Sequence, residues 1–333
     1  MRRRALLLAG ASGAAAGLGG PRGAGAQDAA AAEWPSRPVR LVVPYAPGGI
    51  LDAIARLLAE PLQRRLGAAQ PFVVENRAGA GGNLGTALVA RARGDAHTVL
   101  MGSSGPLAIN PALARSLPFD PQRDFRPVVL AATTPLVLAV PAAAPHRTVE
   151  AFVAWARAAP APVPHGTPGV GTPQHMAAEL LRLRGGFAAV QVPYGGSAPV
   201  ITALLSGDVA FAVDNQALVL PQVRAGTLRA LAVTTPRRSA ELPEVPTMRE
   251  AGLEGYEVRG WYGLLLPAGV PSGVVGRLNA AVREALREPA VVERLAGFGS
   301  PYVAGTAEEF AELIAADVAR WREVAKNAKV SVD

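Results

Sequence analysis

The sequence predicts an α/β fold of open, parallel-type sheets with helices on both faces. Short apolar, β-branched runs alternate with helix-period segments along the chain. Glycine-rich turns join strand to helix at residues 44–52, 78–86, 166–174 and 194–199. About 300 residues remain after an N-terminal export segment is set aside, more than one domain usually holds, so two domains are expected.

That export segment is residues 1–26. Arg2, Arg3 and Arg4 precede a mildly apolar stretch, and Ala24-Gly25-Ala26 forms a small-residue cleavage site. The stretch is too short and glycine-rich to span a bilayer. Paired arginines before a weak apolar segment fit a twin-arginine signal, and a general secretory signal fits too. The chain has no cysteine, which excludes disulfides and a lipid anchor on cysteine. The expectation is a periplasmic monomer that is not lipid-anchored.

The elements follow in order. A small-residue and proline linker occupies residues 29–38, and strands are expected at 39–43, 72–75, 98–101 and 128–131. Helices are expected at 52–66 and 83–92. The first of these carries Ile54, Leu57, Leu58, Leu62 and Leu66 on one face. Pro61 interrupts it, and a mid-helix proline costs roughly 3 kcal/mol, so a kink is expected there.

A second series begins with a strand at 136–140 and a helix at 149–159, capped by Thr148. Strands at 189–192, 209–213 and 228–233 alternate with helices near 174–183 and 198–205. Residues 236–246 are a proline-rich connector. A strand at 262–266 and a helix at 272–287 follow. The last helix opens with the capping box Thr306-x-x-Glu309 and presents Phe310, Leu313, Ile314, Val318 and Trp321 on one face.

Charge excludes one class of function. The formal net charge of +7 falls to +3 once Arg2, Arg3, Arg4 and Arg22 leave with the export segment. The remaining arginines are scattered, and no cluster tracks a phosphate backbone, so no nucleic-acid partner is expected.

Enzyme and cofactor signatures fail on spacing. Gly102-Ser103-Ser104-Gly105 lacks the spacing of a nucleophile elbow. The four histidines (His97, His146, His165 and His175) make no metal-ligand pattern, and thiol catalysis is excluded. Gly79-Ala-Gly81-Gly82 superficially fits a dinucleotide loop. The acidic residue expected about twenty positions later is absent, and no phosphate-binding lysine follows any glycine loop. No cofactor, metal or catalytic residue is expected.

Binding chemistry gains as these readings fall. A strand entering a Pro/Gly turn and then a helix aims unpaired N–H groups and the helix dipole at one point, an anion site that needs no charged side chain. Ser103, Ser104, Thr167, Thr172 and Ser197 lie in such loops, and Asp214 and Asn215 end a strand. Loop residues of these types also serve simply as turn formers.

The chain resembles the Bug-type (TctC-like) periplasmic solute receptors, the binding subunits of tripartite tricarboxylate transporters. The resemblance rests on residues 34–49 (WPSRPVRLVVPYAPGG) and 74–86 (VENRAGAGGNLGT), and on residues 108–113, 192–199 (VPYGGSAP) and 228–234 (LRALAVT). Residues 242–247 (LPEVPT), 250–253 and 260–264 (GWYGL) complete it. It implies a two-lobe Venus-flytrap fold with two crossover connections. Lobe 1 would combine residues 34–131 with 236–333, and lobe 2 would be residues 132–235.

The resemblance further implies a small carboxylate ligand, captured by lobe closure for delivery to integral-membrane transporter subunits. The first-loop clamp maps onto Tyr45, Ala46, Pro47, Gly48, Gly49 and Asp52. The loop after the third strand maps onto Ser103 and Ser104. Lobe-2 contacts map onto Thr167, Gly169, Thr172, Tyr194, Gly195, Ser197, Asp214 and Asn215. Turn shaping by Pro47, Gly48, Gly195 and Gly196, and helix capping by Asp52, are the competing roles.

Ile50 and Leu51 replace the usual small residue and hydroxyl, and Leu107 stands where a polar residue is common. These departures lead us to expect an acid with one carboxylate on the loop amides and an apolar body near Ile50 and Leu107. Citrate-like polyacids would be disfavoured, because desolvating extra charge without partners is costly. A secreted hydrolase of carboxylic esters and a sensory receptor remain the alternatives.

Overall fold

An almost continuous run of valine and leucine makes Val39–Val43 a strand buried on both faces. It opens the computed structural model, which describes residues 33–328 apart from 68, 302 and 304. The expected export segment lies outside the described residues.

The first half contains β1 (Val39–Val43), α1 (Ile50–Arg65), β2 (Phe72–Asn76), α2 (Asn83–Arg91), β3 (Thr98–Ser103), α3 (Asn110–Leu113) and β4 (Phe125–Pro141). Then come α4 (Val149–Ala158), β5 (Val163–Thr167), α5 (Pro173–Gly185), β6 (Ala189–Pro193), α6 (Ser197–Ser206), β7 (Phe211–Asn215), α7 (Gln216–Arg224) and β8 (Leu228–Val233). The chain closes with β9 (Arg259–Pro267), α8 (Ser272–Ala285), α9 (Pro289–Gly297) and α10 (Ala307–Ala328).

The sheet order is β2-β1-β3-β9-β4-β7-β5-β6, with β8 paired to β4. β1 lies parallel to β2 and β3, and β5 lies parallel to β6 and β7. Between these parallel groups β9 runs antiparallel to both β3 and β4, and β7 and β8 run antiparallel to β4. The sheet is therefore mixed, which corrects the parallel-type expectation. Long-range pairing of β4 with β7 and β8, and of the late strand β9 with β3 and β4, produces the difference.

The two strands expected at 128–131 and 136–140 are one. β4 runs for 17 residues, and its residues from Phe125 to Pro135 pair with β9. From Leu136 onward it pairs with β7 and β8. Pro135 stands at the exchange of partners. Having no N–H, it cannot continue a ladder on that edge, so the change falls where a hydrogen bond is already missing.

The second crossover, residues 234–258, carries the proline-rich connector and contains no helix or strand. Thr234 ties the two crossovers together. Its N–H donates to the Leu136 carbonyl at 3.0 Å, and its hydroxyl donates to the Val258 carbonyl at 2.5 Å. The same hydroxyl accepts the Leu136 N–H at 3.3 Å, and Thr234 is fully buried. This is the two-lobe α/β architecture with two crossovers.

Helix boundaries agree with the periodicity to within two residues at most ends. α1 runs unbroken through Pro61, which is buried, so the helix does not stop at the expected kink. The capping box closes as expected: the Thr306 N–H donates to Glu309 Oε2 at 2.7 Å, and the Glu309 N–H to Thr306 Oγ1 at 3.1 Å. Phe310, Ile314, Val318 and Trp321 are buried beneath α10, while Leu313 is half-buried at the margin. Helices α3, α7 and α9 were not expected. The first is four residues long, too short for a periodic signal, while the other two match α2 in length and were missed.

One core packs α1 and α8 against β1, β3, β4 and β9, around Leu41, Ile54, Leu58, Val129 and Leu278. A larger core crosses between the lobes. It joins Leu107 and Ile109 to Met176 and Leu181 of α5, and to Trp261, Phe310 and Trp321 beneath α10. Lobe 2 has its own small core of Val137, Val200, Leu204, Val209 and Val219.

The Thr234 tie is tested by Thr234→Val, which keeps the shape and removes the hydroxyl. The Val258 carbonyl and the Leu136 N–H would then be buried without their hydroxyl partner, at a cost of about 1–3 kcal/mol. A urea unfolding curve should show that loss. An unchanged midpoint would mean the tie contributes nothing.

Candidate functional site

The Pro44–Gly49 turn places Gly49 as the N-cap of α1 in extended conformation, with Gly48 at φ +87°. Glycine meets the positive φ at no steric cost. Ala46, Pro47, Gly48 and Gly49 are exposed, so the first amides of α1 lie open at the strand's carboxyl edge.

Asp52 is buried, and both its oxygens are engaged by the protein. Oδ2 accepts the Gly48 N–H and Arg56 Nε, each at 3.0 Å, and Oδ1 accepts Asn76 Nδ2 at 3.0 Å. Burial would raise its pKa, but the hydrogen bonds from Arg56, Gly48 and Asn76 outweigh that and hold it below the ordinary carboxylate value. Asn76 Nδ2 also donates to the Tyr45 carbonyl at 3.0 Å. Asp52 and Asn76 thus brace the loop from behind. Asn76 was not singled out, although it lies within the motif at residues 74–86.

Tyr45 is half-buried and reaches across to the second loop. Its hydroxyl lies 3.1 Å from Ser103 Oγ and 3.3 Å from the Gly81 carbonyl. Burial raises its pKa, opposed by the Ser103 hydrogen bond, so the phenol stays neutral. Ser103 ends β3, and Ser104 follows it into a π-helical turn at Gly105–Ile109; both serines are buried.

Leu107 turns the other way. A Cβ on Gly102 would sit 2.6 Å from both Leu107 Cδ1 and Leu265 Cδ1, and Leu107 is fully buried in the core. The expected apolar ligand contact at Leu107 is therefore corrected: the absent side chain of Gly102 makes room for Leu107 inside. Ile50 is half-buried and packs on the lobe-1 core.

In lobe 2, Thr167 is buried at the end of β5. Its Oγ1 accepts Gln191 Nε2 at 2.7 Å, and its carbonyl accepts the Tyr194 N–H at 2.8 Å. The Thr172 hydroxyl caps α5, accepting the His175 N–H at 3.2 Å and donating to the Gly169 carbonyl at 2.8 Å. Tyr194 packs its ring 3.6 Å from where a Gly166 Cβ would lie. Gly195 has open space at its Cβ position.

Ser197, the first residue of α6, donates to Asp214 Oδ1 at 2.7 Å, and the Asn215 N–H donates to the same oxygen at 2.6 Å. Asp214 Oδ2 is buried without a hydrogen-bond partner. Burial pushes the carboxyl up to about 6, although Ser197, the Asn215 N–H and Gln174 favour its charged form. Asn215 is the half-buried N-cap residue of α7, with no side-chain cap bond.

The structure thus gathers Tyr45, Ser103 and Ser104 on one side, and Thr167, Tyr194, Ser197, Asp214 and Asn215 on the other. The first group reaches lobe 2 at Gly171: a Gly105 Cβ would lie 3.2 Å from the Tyr45 hydroxyl and 3.8 Å from the Gly171 carbonyl. His175 Nδ1 accepts the Gly171 N–H at 3.3 Å. Burial lowers that imidazole to about 4, which keeps it neutral and able to accept. Among the described residues, no group of three or more His, Cys, Asp or Glu side chains could hold a metal ion.

Residues 54–330 match the family described as the tripartite tricarboxylate transporter family receptor. This chain belongs to that family. A protein from the tcbD-tcbE intergenic region of a Pseudomonas species is 41% identical, covering 87% of this chain and 86% of the relative. BugT of Bordetella pertussis is 38% identical, covering 88% and 90%.

Among solved structures, an R. palustris protein with adipate superposes with a TM-score of 0.78 at 36% identity, covering 90% of this chain and 99% of its own. MatC from Rhodopseudomonas palustris with bound malate gives 0.75 at 33%, covering 87% and 99%. The periplasmic binding protein BugD gives 0.74 at 32%, covering 90% and 99%.

The Asp214 carboxyl makes stability depend on pH. Its folded value near 6 lies above the ordinary 3.8, so its stabilising proton is lost as pH rises between about 4 and 6. Asp214→Asn removes that titration. Its unfolding free energy relative to the native protein should therefore rise from pH 4 to pH 7, by on the order of 1–3 kcal/mol. A pH-independent difference would contradict the assignment.

Proposed function

We propose that this receptor closes its two lobes around a small organic acid held by neutral donors. The observation that carries the reading is the meeting of the Tyr45–Gly49 and Ser103–Gly105 loops with the Thr167–Thr172 loop at one seam. No lysine, arginine or histidine is among the candidate residues of these loops. Open helix-start amides, serine and threonine hydroxyls and peptide dipoles supply the positive potential.

In this reading the Gly49 backbone and the Ser103 and Ser104 hydroxyls take one carboxylate, while Gly48 shapes the turn because its N–H is already given to Asp52. Gly169, Gly195 and the α6 start near Ser197 close from the other side. Asp52 and Thr172 act as positioning residues, because hydrogen bonds within the protein already occupy them. The proposed lobes are residues 34–131 with 236–333, and 132–235. The exchange of β4 partners after Pro135 supports a division near there.

A C4–C6 dicarboxylate gains support from the relatives solved with malate and adipate. A purely apolar ligand body loses support, because Leu107 is buried. Periplasmic residence is supported by the arginine-led export segment and by relatives described as periplasmic. Delivery to membrane subunits of a tripartite transporter is supported by membership of the receptor family.

A thermal-shift and calorimetry panel of malate, adipate, benzoate, 3-methylbutyrate and citrate tests the reading. An acid at a hundredfold its Kd stabilises by about 2.7 kcal/mol, and so raises Tm by several degrees. At least one of the first four should do so, with citrate weaker. No shift with any acid, or turnover of carboxylic esters by the same preparation, would defeat it.

A further inference from the structure

Beside the candidate site, a polar side chain of lobe 1 meets the backbone of a lobe-2 loop. Asn110 starts α3 in lobe 1 and is buried; its Nδ2 donates to Asn83 Oδ1 at 2.8 Å. Its Oδ1 faces Gly171, in the loop between β5 and α5 of lobe 2. A Cβ on Gly171 would sit 2.7 Å from that oxygen, closer than real Cβ contacts come. Gly171 is also held from its own side, because its N–H donates to His175 Nδ1. Neither partner can yield without losing a hydrogen bond.

We propose that Asn110 and Gly171 form the closure stop between the lobes: the Asn110 carboxamide, locked by Asn83, sets how closely the β5–α5 loop approaches the β3 turn. The proposal rests on the two-lobe closure reading but not on any particular ligand. Asn110 is a positioning residue in it. The stop lies beside the Tyr45–Gly105 junction, so the gap it leaves is the depth of the proposed binding cleft. Bulk at either position holds the lobes apart, and loss of the Asn110 side chain removes the stop.

The absence of native cysteine allows a direct test. Val73 on β2 and Val190 on β6 are 46% and 47% exposed, on the two outermost strands of the sheet. In a Val73→Cys, Val190→Cys background, nitroxide labels report the opening of the cleft by electron–electron double resonance without ligand. Adding Gly171→Ala should shift the distance distribution to longer values, and adding Asn110→Ala to that variant should return it. The rescue separates the collision from backbone strain, because an alanine at a position whose φ is +75° in the parent is strained with or without Asn110→Ala.

Asn110→Gln, which leaves residue 171 untouched, should open the cleft too and serves if Gly171→Ala does not fold. Distributions that superimpose on the parent for both bulkier variants, or a shift that Asn110→Ala fails to reverse, would overturn the proposal. Adding malate or adipate to the parent is a separate arm. No response there counts against those acids as ligands and leaves the ligand-free comparison standing.

Discussion

The architecture depends on one strand that belongs to both lobes. β4 is paired with β9 up to Pro135 and with β7 and β8 beyond it, so a single extended backbone carries both halves of the sheet. A second crossover is joined to it through Thr234, which bonds Leu136 in β4 and Val258 just before β9. Hydrogen bonds buried at this depth are costly to leave unmade, which fixes the relation of the two crossovers.

From that frame the loops acquire their positions. The parallel strands of the two halves run towards each other along β4, so the carboxyl ends of β3 and β7 come level with Ala132 and Leu136, and ligands of open α/β sheets bind at such carboxyl ends. Tyr45 and Ser103 come from adjacent parallel strands in lobe 1, and Thr167 and Asp214 from adjacent parallel strands in lobe 2. The site is assembled from backbone amides and hydroxyls on rigid element ends. Charge at the site is used sparingly. Asp52 is spent on bracing the first loop, while Asp214 is buried and shifted upward.

Much of this was legible in the residues. Helix α10 and its capping box, the Thr148 cap of α4 and the strand at 228–233 follow from local chemistry. The candidate loops were also legible, because a Pro/Gly turn between a strand and a helix has the same consequence wherever it occurs. Asn76 and Arg56 were not found, since their partnership with Asp52 forms only when β2 lies beside β1. Leu107 was misplaced for a related reason. Its direction is set by the missing side chain of Gly102, within a π-helical turn that no periodicity announces.

By itself the sequence determined the alternation of strands and helices, the glycine-rich strand-to-helix loops and the absence of any cysteine thiol. These follow from residues within about ten positions of one another, the range over which periodicity and capping act. Only the tertiary structure decided that two expected strands are one, that β9 enters antiparallel, and that Gly171 meets Asn110. Those facts depend on residues brought together from distant parts of the chain. Buried hydrogen bonds and close packing select such pairs, and neither leaves a local pattern in the residues that make it.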